Sequence, residues 1–442
     1  MKNTMKWKVV VPASIAALAM GLAGCGAGGD GGDEGDTSKV TASEGQVTVS
    51  LYFWGGDARV NNTKKMVEKF EAANPNIKVD MQYNDWSGYW DKLNTTSAGG
   101  NAPDVIQMDE LYLSSYASQG ALLDLNRASD FLKLDTMDAS LRDMGKVDGK
   151  QYAAPISTTP FGILVNNDVL SKLGLTLPDT ANWTWDDLVA FAQQVHDKSN
   201  GEIVGIAPMN NGMSLQLWAR QNGESLFKDG KVAISDKTLA AYFQMAADWT
   251  KSGVAGTADR WSEQSSASLN QSDMGTNKQA LTFTQATQIT AYSKAAGTDN
   301  MELVPIPQLK AGEKTSYLKP GMYWSVSAKS QHPAEAAKLV DFLINNEEAG
   351  KIQGTERGLP ANNSIRESLA GTVSGTDKKA LEFPDQIKDT IGDAPEVTPN
   401  GASSLDKDIV RYMSDVVFGK QTATDAAKAF ISEMQGNIDS AV

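Results

Sequence analysis

The chain has 442 residues, with 54 acidic against 40 basic side chains and a formal net charge of −14. This acidic composition argues against nucleic acid and anionic lipid surfaces as partners, because both are negatively charged. The chain has one cysteine, which excludes an intrachain disulfide, so stability must come from a buried core, and the length suffices for two lobes.

The N-terminal pattern predicts an export signal. Three lysines precede an apolar run over residues 9–23, which is shorter than the about 20 apolar residues that a membrane-spanning helix needs. The run leads into Leu22-Ala23-Gly24-Cys25, which resembles the lipobox of bacterial lipoprotein signals. The resemblance implies removal of residues 1–24, lipid attachment at Cys25 and a place on the extracytoplasmic face of the cell membrane. An ordinary signal peptide with a chance cysteine, or a buried core cysteine, are the alternatives.

The composition of residues 25–45 predicts a flexible tether. They are rich in glycine and acidic residues and poor in side chains that could form a core. The root-mean-square end-to-end distance of a glycine-rich chain of this length is about 25 Å, which would let the folded part move while it remains anchored.

Alternating apolar residues predict a first group of elements. Residues 47–53 and 77–83 have the period of a strand, and 104–108 is a short run typical of a buried strand. A helix that ends at Asn74-Pro75 and another over 89–97 separate them. This β-α-β-α-β order implies a mostly parallel sheet with flanking helices, and ligands bind such sheets at the carboxyl ends of the strands.

A second group begins near residue 161. Strands are predicted over 162–165 and 280–283, and amphipathic helices over 239–249 and 333–344. Thr184-Trp185-Asp186-Asp187 is a capping-box pattern that predicts the start of a further helix. The predicted fold class is therefore α/β with two lobes.

Six motifs carry a resemblance to a known family. They are Tyr52-Phe53-Trp54-Gly55-Gly56-Asp57-Ala58-Arg59, Phe70-Glu71-Ala72-Ala73-Asn74-Pro75-Asn76-Ile77, Gly100-Asn101-Ala102-Pro103-Asp104-Val105-Ile106, Asn222-Gly223-Glu224-Ser225-Leu226-Phe227, Met322-Tyr323-Trp324-Ser325-Val326-Ser327 and Gly358-Leu359-Pro360-Ala361-Asn362. With the lipobox and the order of elements, they resemble the extracellular solute-binding proteins of ABC importers, solute-binding protein family 1. The first motif is similar to the branch that binds sugars.

The resemblance implies a periplasmic-binding-protein-like fold, in which each lobe is a mostly parallel sheet flanked by helices and the ligand lies in the cleft between the lobes. Lobe 1 is expected to comprise residues 46–157 and 284–322, and lobe 2 residues 158–283 and 323–442. Hinge closure around the ligand is a standard motion of this class. The segments that cross between the lobes are expected near 155–161, 283–288 and 319–327.

Candidate binding residues follow from the chemistry of a sugar, which presents apolar C–H faces and a rim of hydroxyl groups. Flat aromatic rings suit the faces, and ionised side chains make strong hydrogen bonds to the hydroxyl groups. The predicted binding residues are Trp54, Asp57, Arg59, Trp86, Trp90, Asp109, Trp218, Trp324 and Arg357. The alternatives are core packing for the tryptophans, helix caps for Asp57 and Asp109, and a solvated surface position for Arg357.

Catalysis has little support in the sequence. The chain has two histidines, neither in a metal-ligand or nucleophile spacing, and no cofactor or metal is predicted. The expected protein is a monomer without enzymatic activity that binds an oligosaccharide and delivers it to the permease subunits of an ABC transporter. The alternatives are a lipid-anchored glycoside hydrolase and a surface lipoprotein without a transport role.

Overall fold

The computed structural model describes residues 38–265, 267–310 and 312–441, apart from the side chain of Ser87. The predicted signal peptide, Cys25 and residues 25–37 of the predicted tether lie outside the described residues. Within the described part of the chain, no helix has the length and apolar character needed to cross a membrane.

The described strands and helices alternate along the chain. The strands are β1 (Val47–Trp54), β2 (Ile77–Asn84), β3 (Val105–Met108), β4 (Lys146–Val147), β5 (Lys150–Gln151), β6 (Ala154–Pro155), β7 (Ser157–Thr158), β8 (Phe161–Asn166), β9 (Val204–Ile206), β10 (Phe227–Lys228), β11 (Lys231–Val232), β12 (Gln279–Gln285), β13 (Met301–Val304), β14 (Tyr323–Val326) and β15 (Leu359–Pro360). The α-helices are α1 (Asp57–Ala73), α2 (Trp86–Ala98), α3 (Glu110–Ser118), α4 (Ala139–Asp143), α5 (Asn167–Lys172), α6 (Trp185–Lys198), α7 (Gly212–Gln221), α8 (Asp236–Ser252), α9 (Ala258–Gln264), α10 (Ile289–Ala296), α11 (Pro333–Asn345), α12 (Glu347–Gln353), α13 (Asn363–Ala370), α14 (Gly375–Gln386), α15 (Leu405–Val417) and α16 (Ala423–Asp439).

The first sheet has the strand order β2-β1-β3-β14-β6. Strand β1 pairs in parallel with β2 and β3, so the predicted β-α-β-α-β unit is confirmed. Because side chains alternate across a strand, Val49, Leu51 and Phe53 pack with helices α1 and α11. Tyr52 and Trp54 point to the other face, where α2 and α3 lie.

The second sheet has the strand order β13-β8-β12-β9. All six residues of β8 are buried, which is typical of a strand covered on both faces. Phe161, Ile163 and Val165 pack with α6, α7, α8, α15 and α16. Leu164 packs in the cluster that includes residues of α10 and α14. The predicted capping box at the start of α6 is confirmed, since the side chain of Thr184 and that of Asp187 each accept from the other residue's backbone.

The strand directions are more mixed than the expected mostly parallel arrangement. In the second sheet β8 is antiparallel to both β12 and β13, and only β12 and β9 are parallel. In the first sheet β14 is antiparallel to β3 and to β6. The sequence pattern identified strands, but it did not fix the direction of a short strand, which depends on the connection that delivers it.

Two strands lie in a different sheet from the one that the expected lobe boundaries suggest, and the boundaries themselves stay a prediction. Strand β13 lies in the second sheet although residues 284–322 were expected in lobe 1, and β14 lies in the first sheet although residues 323–442 were expected in lobe 2. The chain passes from the first sheet to the second between β6 and β8, and it returns between β13 and β14. The expected crossing at 283–288 leads instead from β12 into α10 and back to the second sheet through β13.

The predicted tether is too long at its C-terminal end. The Val40 side chain is 8% exposed, and its backbone N–H donates to the carbonyl of Arg127 at 3.0 Å. The Ser43 backbone N–H donates to the Glu335 carboxylate at 2.6 Å. These residues are held against the folded body because an apolar side chain and backbone donors find partners there.

Candidate functional site

The carboxyl end of β1 and the start of α2 bring three of the predicted tryptophans together. The ring centroids of Trp54 lie 5.0 Å from those of Trp86 and 5.8 Å from those of Trp90, and Trp86 and Trp90 are 5.5 Å apart. Tyr112 of α3 stacks on Trp90 at 3.8 Å. We call Trp54, Trp86, Trp90 and Tyr112 the aromatic cluster. Trp86 is 43% exposed, whereas Trp54 and Trp90 are 8% and 5% exposed, so Trp86 presents the exposed tryptophan ring and the others support it.

The turn after β1 holds Trp54 in place. Gly55 has a φ of 155°, and a side chain there would collide with that of Arg59. The Arg59 guanidinium donates to the Trp54 carbonyl at 3.0 Å and to the Glu356 carboxylate at 2.9 Å. In this structure Arg59, a predicted ligand contact, therefore fixes the end of β1.

The two predicted aspartates occupy helix starts. Asp57 is the first residue of α1 and is exposed, a position where a carboxylate is favoured by the helix dipole. Asp109 is the N-cap of α3, and its carboxylate accepts from the Leu111 N–H at 3.0 Å. Burial raises the pKa of Asp109. The helix-cap alternative is confirmed for Asp109.

Three further predicted binding residues are buried in this structure. Trp324 is 1% exposed and Trp218 is 8% exposed, with the Trp218 Nε1–H donating to the Thr238 carbonyl at 3.0 Å. Arg357 is 1% exposed, and its guanidinium carbon lies 5.5 Å from the ring centroid of Trp324. Burial lowers the pKa of Arg357. This burial favours the core-packing alternative for the two tryptophans and contradicts the solvated alternative for Arg357, and contact with a ligand stays a prediction for all three residues.

A cavity of about 410 Å³ lies between elements of the two sheets. Its walls come from α3, beside the first sheet, and from α7 and β12 on the side of the second sheet. Neutral hydrogen-bonding side chains predominate among its polar groups. They are Asn211, Gln216, Thr284, Gln285, Gln288, Tyr317, Thr398 and Ser403. Such groups can both donate to and accept from hydroxyl groups.

The cavity also contains flat apolar surface. The rings of Phe161 and Phe283 line it and are nearly parallel, with centroids 6.4 Å apart and an interplanar angle of 13°. Phe227 and Met213 add further apolar lining. The combination of rings with a few convergent polar groups is typical of a small-molecule binding site.

Lys319 and two of the carboxylates of the cavity have partners within the protein. Lys319 forms an ion pair with Glu110, whose other carboxylate oxygen accepts from the Thr398 hydroxyl at 3.0 Å. Burial lowers the pKa of Lys319, and the nearby Asp109 carboxylate opposes this effect. The Asp406 carboxylate accepts from the Gly212 N–H, the first of α7, at 2.6 Å.

The polar residues of this cavity are not among the predicted binding residues. Glu110 directly follows the predicted binding residue Asp109, and Lys319 begins the predicted crossing segment 319–327. Both residues therefore lie next to a sequence feature that pointed to the site. Gln216 has no such feature, because nothing in its local sequence distinguishes it from other helical glutamines.

A two-sheet α/β protein with a cavity between the sheets is the architecture of a ligand-binding protein, and comparison with known families agrees. The profile of the bacterial extracellular solute-binding protein family matches residues 65–382, which is more than half of the chain. The chain therefore belongs to the bacterial extracellular solute-binding proteins.

Two relatives are similar over most of their length. The diacetylchitobiose binding protein DasA of Streptomyces coelicolor is 24% identical over 432 residues, covering 96% of this chain and 97% of that protein. A maltooligosaccharide ABC transporter solute-binding lipoprotein of Streptococcus pneumoniae is 24% identical and covers 82% of each chain.

Solved structures share the fold. An extracellular solute-binding protein family 1 member from Alicyclobacillus acidocaldarius superposes with a TM-score of 0.76 at 26% identity, covering 90% of this chain and 99% of that one. A periplasmic oligogalacturonide binding protein from Yersinia enterocolitica gives a TM-score of 0.78 at 23% identity, covering 89% of this chain and all of the other. The second similarity is evidence for the fold alone.

Proposed function

We propose that this protein binds an oligosaccharide outside the cell and delivers it to the permease subunits of an ABC transporter. The observation that supports this most is the cavity between the two sheets, where amides and hydroxyl groups surround the Phe161 and Phe283 rings. These groups match the hydroxyl rim and the apolar faces of a sugar. Relatives named for diacetylchitobiose and maltooligosaccharides are consistent with this ligand class.

The aromatic cluster extends the proposed site. Leu111 lines the cavity and is 41% exposed, and the next residue of α3 is Tyr112 of the cluster. Trp86 lies 6.3 Å from Tyr112 between ring centroids and offers an exposed ring. A ligand of several sugar units would contact the cavity with one unit and the Trp86 ring with another, which favours an oligosaccharide over a monosaccharide.

Ligand binding would be coupled to closure of the two lobes. Glu110 lies beside the first sheet, whereas Gln216 and Asp406 lie beside the second, so a ligand in the cavity contacts both sides. Contacts made only in the closed form stabilise that form in proportion to their free energy. The closed shape is what a permease would distinguish from the empty protein.

Calorimetric titration of the purified protein against a carbohydrate panel tests the binding proposal, and solution scattering tests closure. We expect at least one oligosaccharide to bind with a stoichiometry of one ligand per protein monomer. The same ligand should reduce the radius of gyration and change the tryptophan fluorescence. Tight binding without a change in scattering would contradict closure. Release of new reducing ends from the bound sugar would favour the hydrolase alternative.

The membrane contact of the proposed importer component would be a lipid anchor at Cys25. The support is the lipobox together with a relative that is named a lipoprotein. Cys25→Ser should abolish labelling by radioactive fatty acid and release the protein from membranes or leave it as precursor. Equal labelling of the variant and the wild type would exclude the anchor.

A further inference from the structure

The charged side chains of the cavity leave an excess of negative charge. Within the described part of the chain, three carboxylates line it, those of Glu110, Glu396 and Asp406, against one ammonium, that of Lys319. Among the described residues no arginine lines this cavity. The ion pair with Glu110 already neutralises Lys319, so its charge is not available to a ligand anion.

The second place where an anion could bind is also occupied. The N-terminus of a helix attracts anions because its first backbone N–H groups lack partners within the helix. In α7 the Gly212 N–H donates to the Asp406 carboxylate at 2.6 Å. Both features of the cavity that would attract a carboxylate are therefore already paired with carboxylates of the protein.

Among the described residues that line the cavity, one side chain has a buried polar atom without a partner. Gln216 lines the cavity from α7 and is 7% exposed, and its Nε2 finds no hydrogen-bond acceptor within the described part of the chain. A buried donor without an acceptor is unfavourable, so native proteins pair most such groups. A hydroxyl or carbonyl oxygen of a ligand would supply the acceptor.

We propose that this cavity selects an uncharged oligosaccharide over one that carries uronic acid carboxylates, and that the Gln216 amide donates a hydrogen bond to that uncharged ligand. The inference rests on the proposed function and specifies its ligand class. Hydroxyl groups can donate to the free carboxylate oxygens and accept from Gln216, whereas a ligand carboxylate only accepts and meets like charge.

Calorimetry with matched sugars tests the selectivity. The panel contains diacetylchitobiose, maltotriose and other neutral di- to pentasaccharides, with digalacturonic acid as the acidic probe. We expect digalacturonic acid to bind at least about tenfold more weakly than the best neutral sugar, and the gap to narrow as salt screens the repulsion. Acidic binding as tight as neutral binding would overturn this inference and leave the proposed function intact. Binding of no sugar would overturn both.

Two isosteric variants separate the effect of the cavity's net charge from the effect of releasing the Lys319 ammonium from its ion pair. Glu110→Gln and Glu396→Gln each remove one negative charge from the lining, but only the first releases Lys319 from its ion pair. We expect Glu110→Gln to improve digalacturonic acid binding relative to the best neutral sugar by about tenfold, and Glu396→Gln by about threefold or less. No relative gain in the Glu110 variant would contradict the inference.

The role of Gln216 is tested with Gln216→Met, which keeps the length of the side chain but removes the donor. We expect the best neutral sugar to bind about 2- to 10-fold more weakly, the range for one hydrogen bond. Gln386→Met is the matched control, because Gln386 is an exposed amide of helix α14 outside the cavity lining, and its affinity should match the wild type. Thermal unfolding verifies that both variants fold, and unchanged affinity in a folded Gln216 variant would exclude the hydrogen bond.

Discussion

The aromatic cluster and the cavity present opposite chemistry on neighbouring positions of helix α3. Tyr112 stacks on Trp90 within a group of rings that contact one another, whereas Glu110, two positions earlier, pairs with Lys319 and Thr398. The rings offer apolar area that does not depend on charge, whereas the cavity offers hydrogen-bonding groups and more carboxylates than ammonium groups. From this difference we expect affinity to come mainly from the cluster and selectivity mainly from the cavity.

The largest expected effect is on stability, and it distinguishes the buried Trp90 ring, which supports the cluster, from the exposed Trp86 ring. Trp90→Ala should lower the free energy of unfolding by about 3 to 5 kcal/mol, because it removes a buried ring that stacks on Tyr112. Trp86→Ala, on the same helix but 43% exposed, should cost less than about 1 kcal/mol. Urea denaturation measures both, and equal losses would show that the cluster has no distinct exposed ring.

The next effect concerns affinity. Trp86→Ala should weaken binding of the best neutral oligosaccharide about 5- to 150-fold, if stacking on sugar resembles the about 1 to 3 kcal/mol per ring found for bases. The loss should be the same at low and high salt, in contrast to the discrimination against digalacturonic acid. Phe418→Ala removes an aromatic side chain that is 40% exposed elsewhere and serves as the control. Unchanged affinity for the Trp86 variant would place the sugar away from the cluster.

A smaller effect tests the paired charges of the cavity. Thr398→Val removes the hydroxyl that donates to Glu110 at 3.0 Å and should lower the free energy of unfolding by about 1 kcal/mol. Ser403 lines the same cavity and is exposed, so Ser403→Ala should change stability by less than about 0.5 kcal/mol. If the two variants lose the same stability, the contact between Thr398 and Glu110 contributes nothing.

The smallest effect is a pH dependence of the free energy of unfolding, which comes from Tyr116 on the side of α3 that faces the cluster. Burial raises the pKa of Tyr116 to about 12, so the folded protein keeps a proton that the unfolded chain, with a pKa of about 10, loses. This contribution to stability is fully present below about pH 10 and is lost as the pH rises to about 12. Urea denaturation across this range should therefore show a less steep decline for Tyr116→Phe than for the wild type, and parallel curves would contradict the assignment.

The first sheet and the aromatic cluster were largely predictable because their signals are local. The period-two alternation in β1 and β2 and the stop at Asn74-Pro75 predicted both strands and the helix between them. Trp86 and Trp90 are four positions apart, a spacing that places both on one face of a helix, in agreement with their ring distance of 5.5 Å.

The buried tryptophan and the cavity glutamine show where local signals end. The direction of the Trp324 side chain depends on the register of β14, in which Trp324 pairs with Gln107 of β3, and a shift of one residue would reverse it. Helix α7 is buried at every position from Gly212 to Ala219, so it has no solvent face from which the direction of Gln216 could be inferred. Both outcomes depend on contacts between segments far apart in the chain.

The position of β14 has a consequence for the time at which the first sheet can form during synthesis. Gln107, in β3, donates to the Met322 sulfur and accepts from the Arg357 guanidinium, and these residues lie 215 and 250 positions later in the chain. Contacts of such long sequence separation slow folding, since the intervening loop must close first. A growing chain that ends before Tyr323 has β3 and β6 without the strand that lies between them. Because unpaired strand edges template aggregation, we expect such unfinished chains to require a chaperone until β14 has been synthesised.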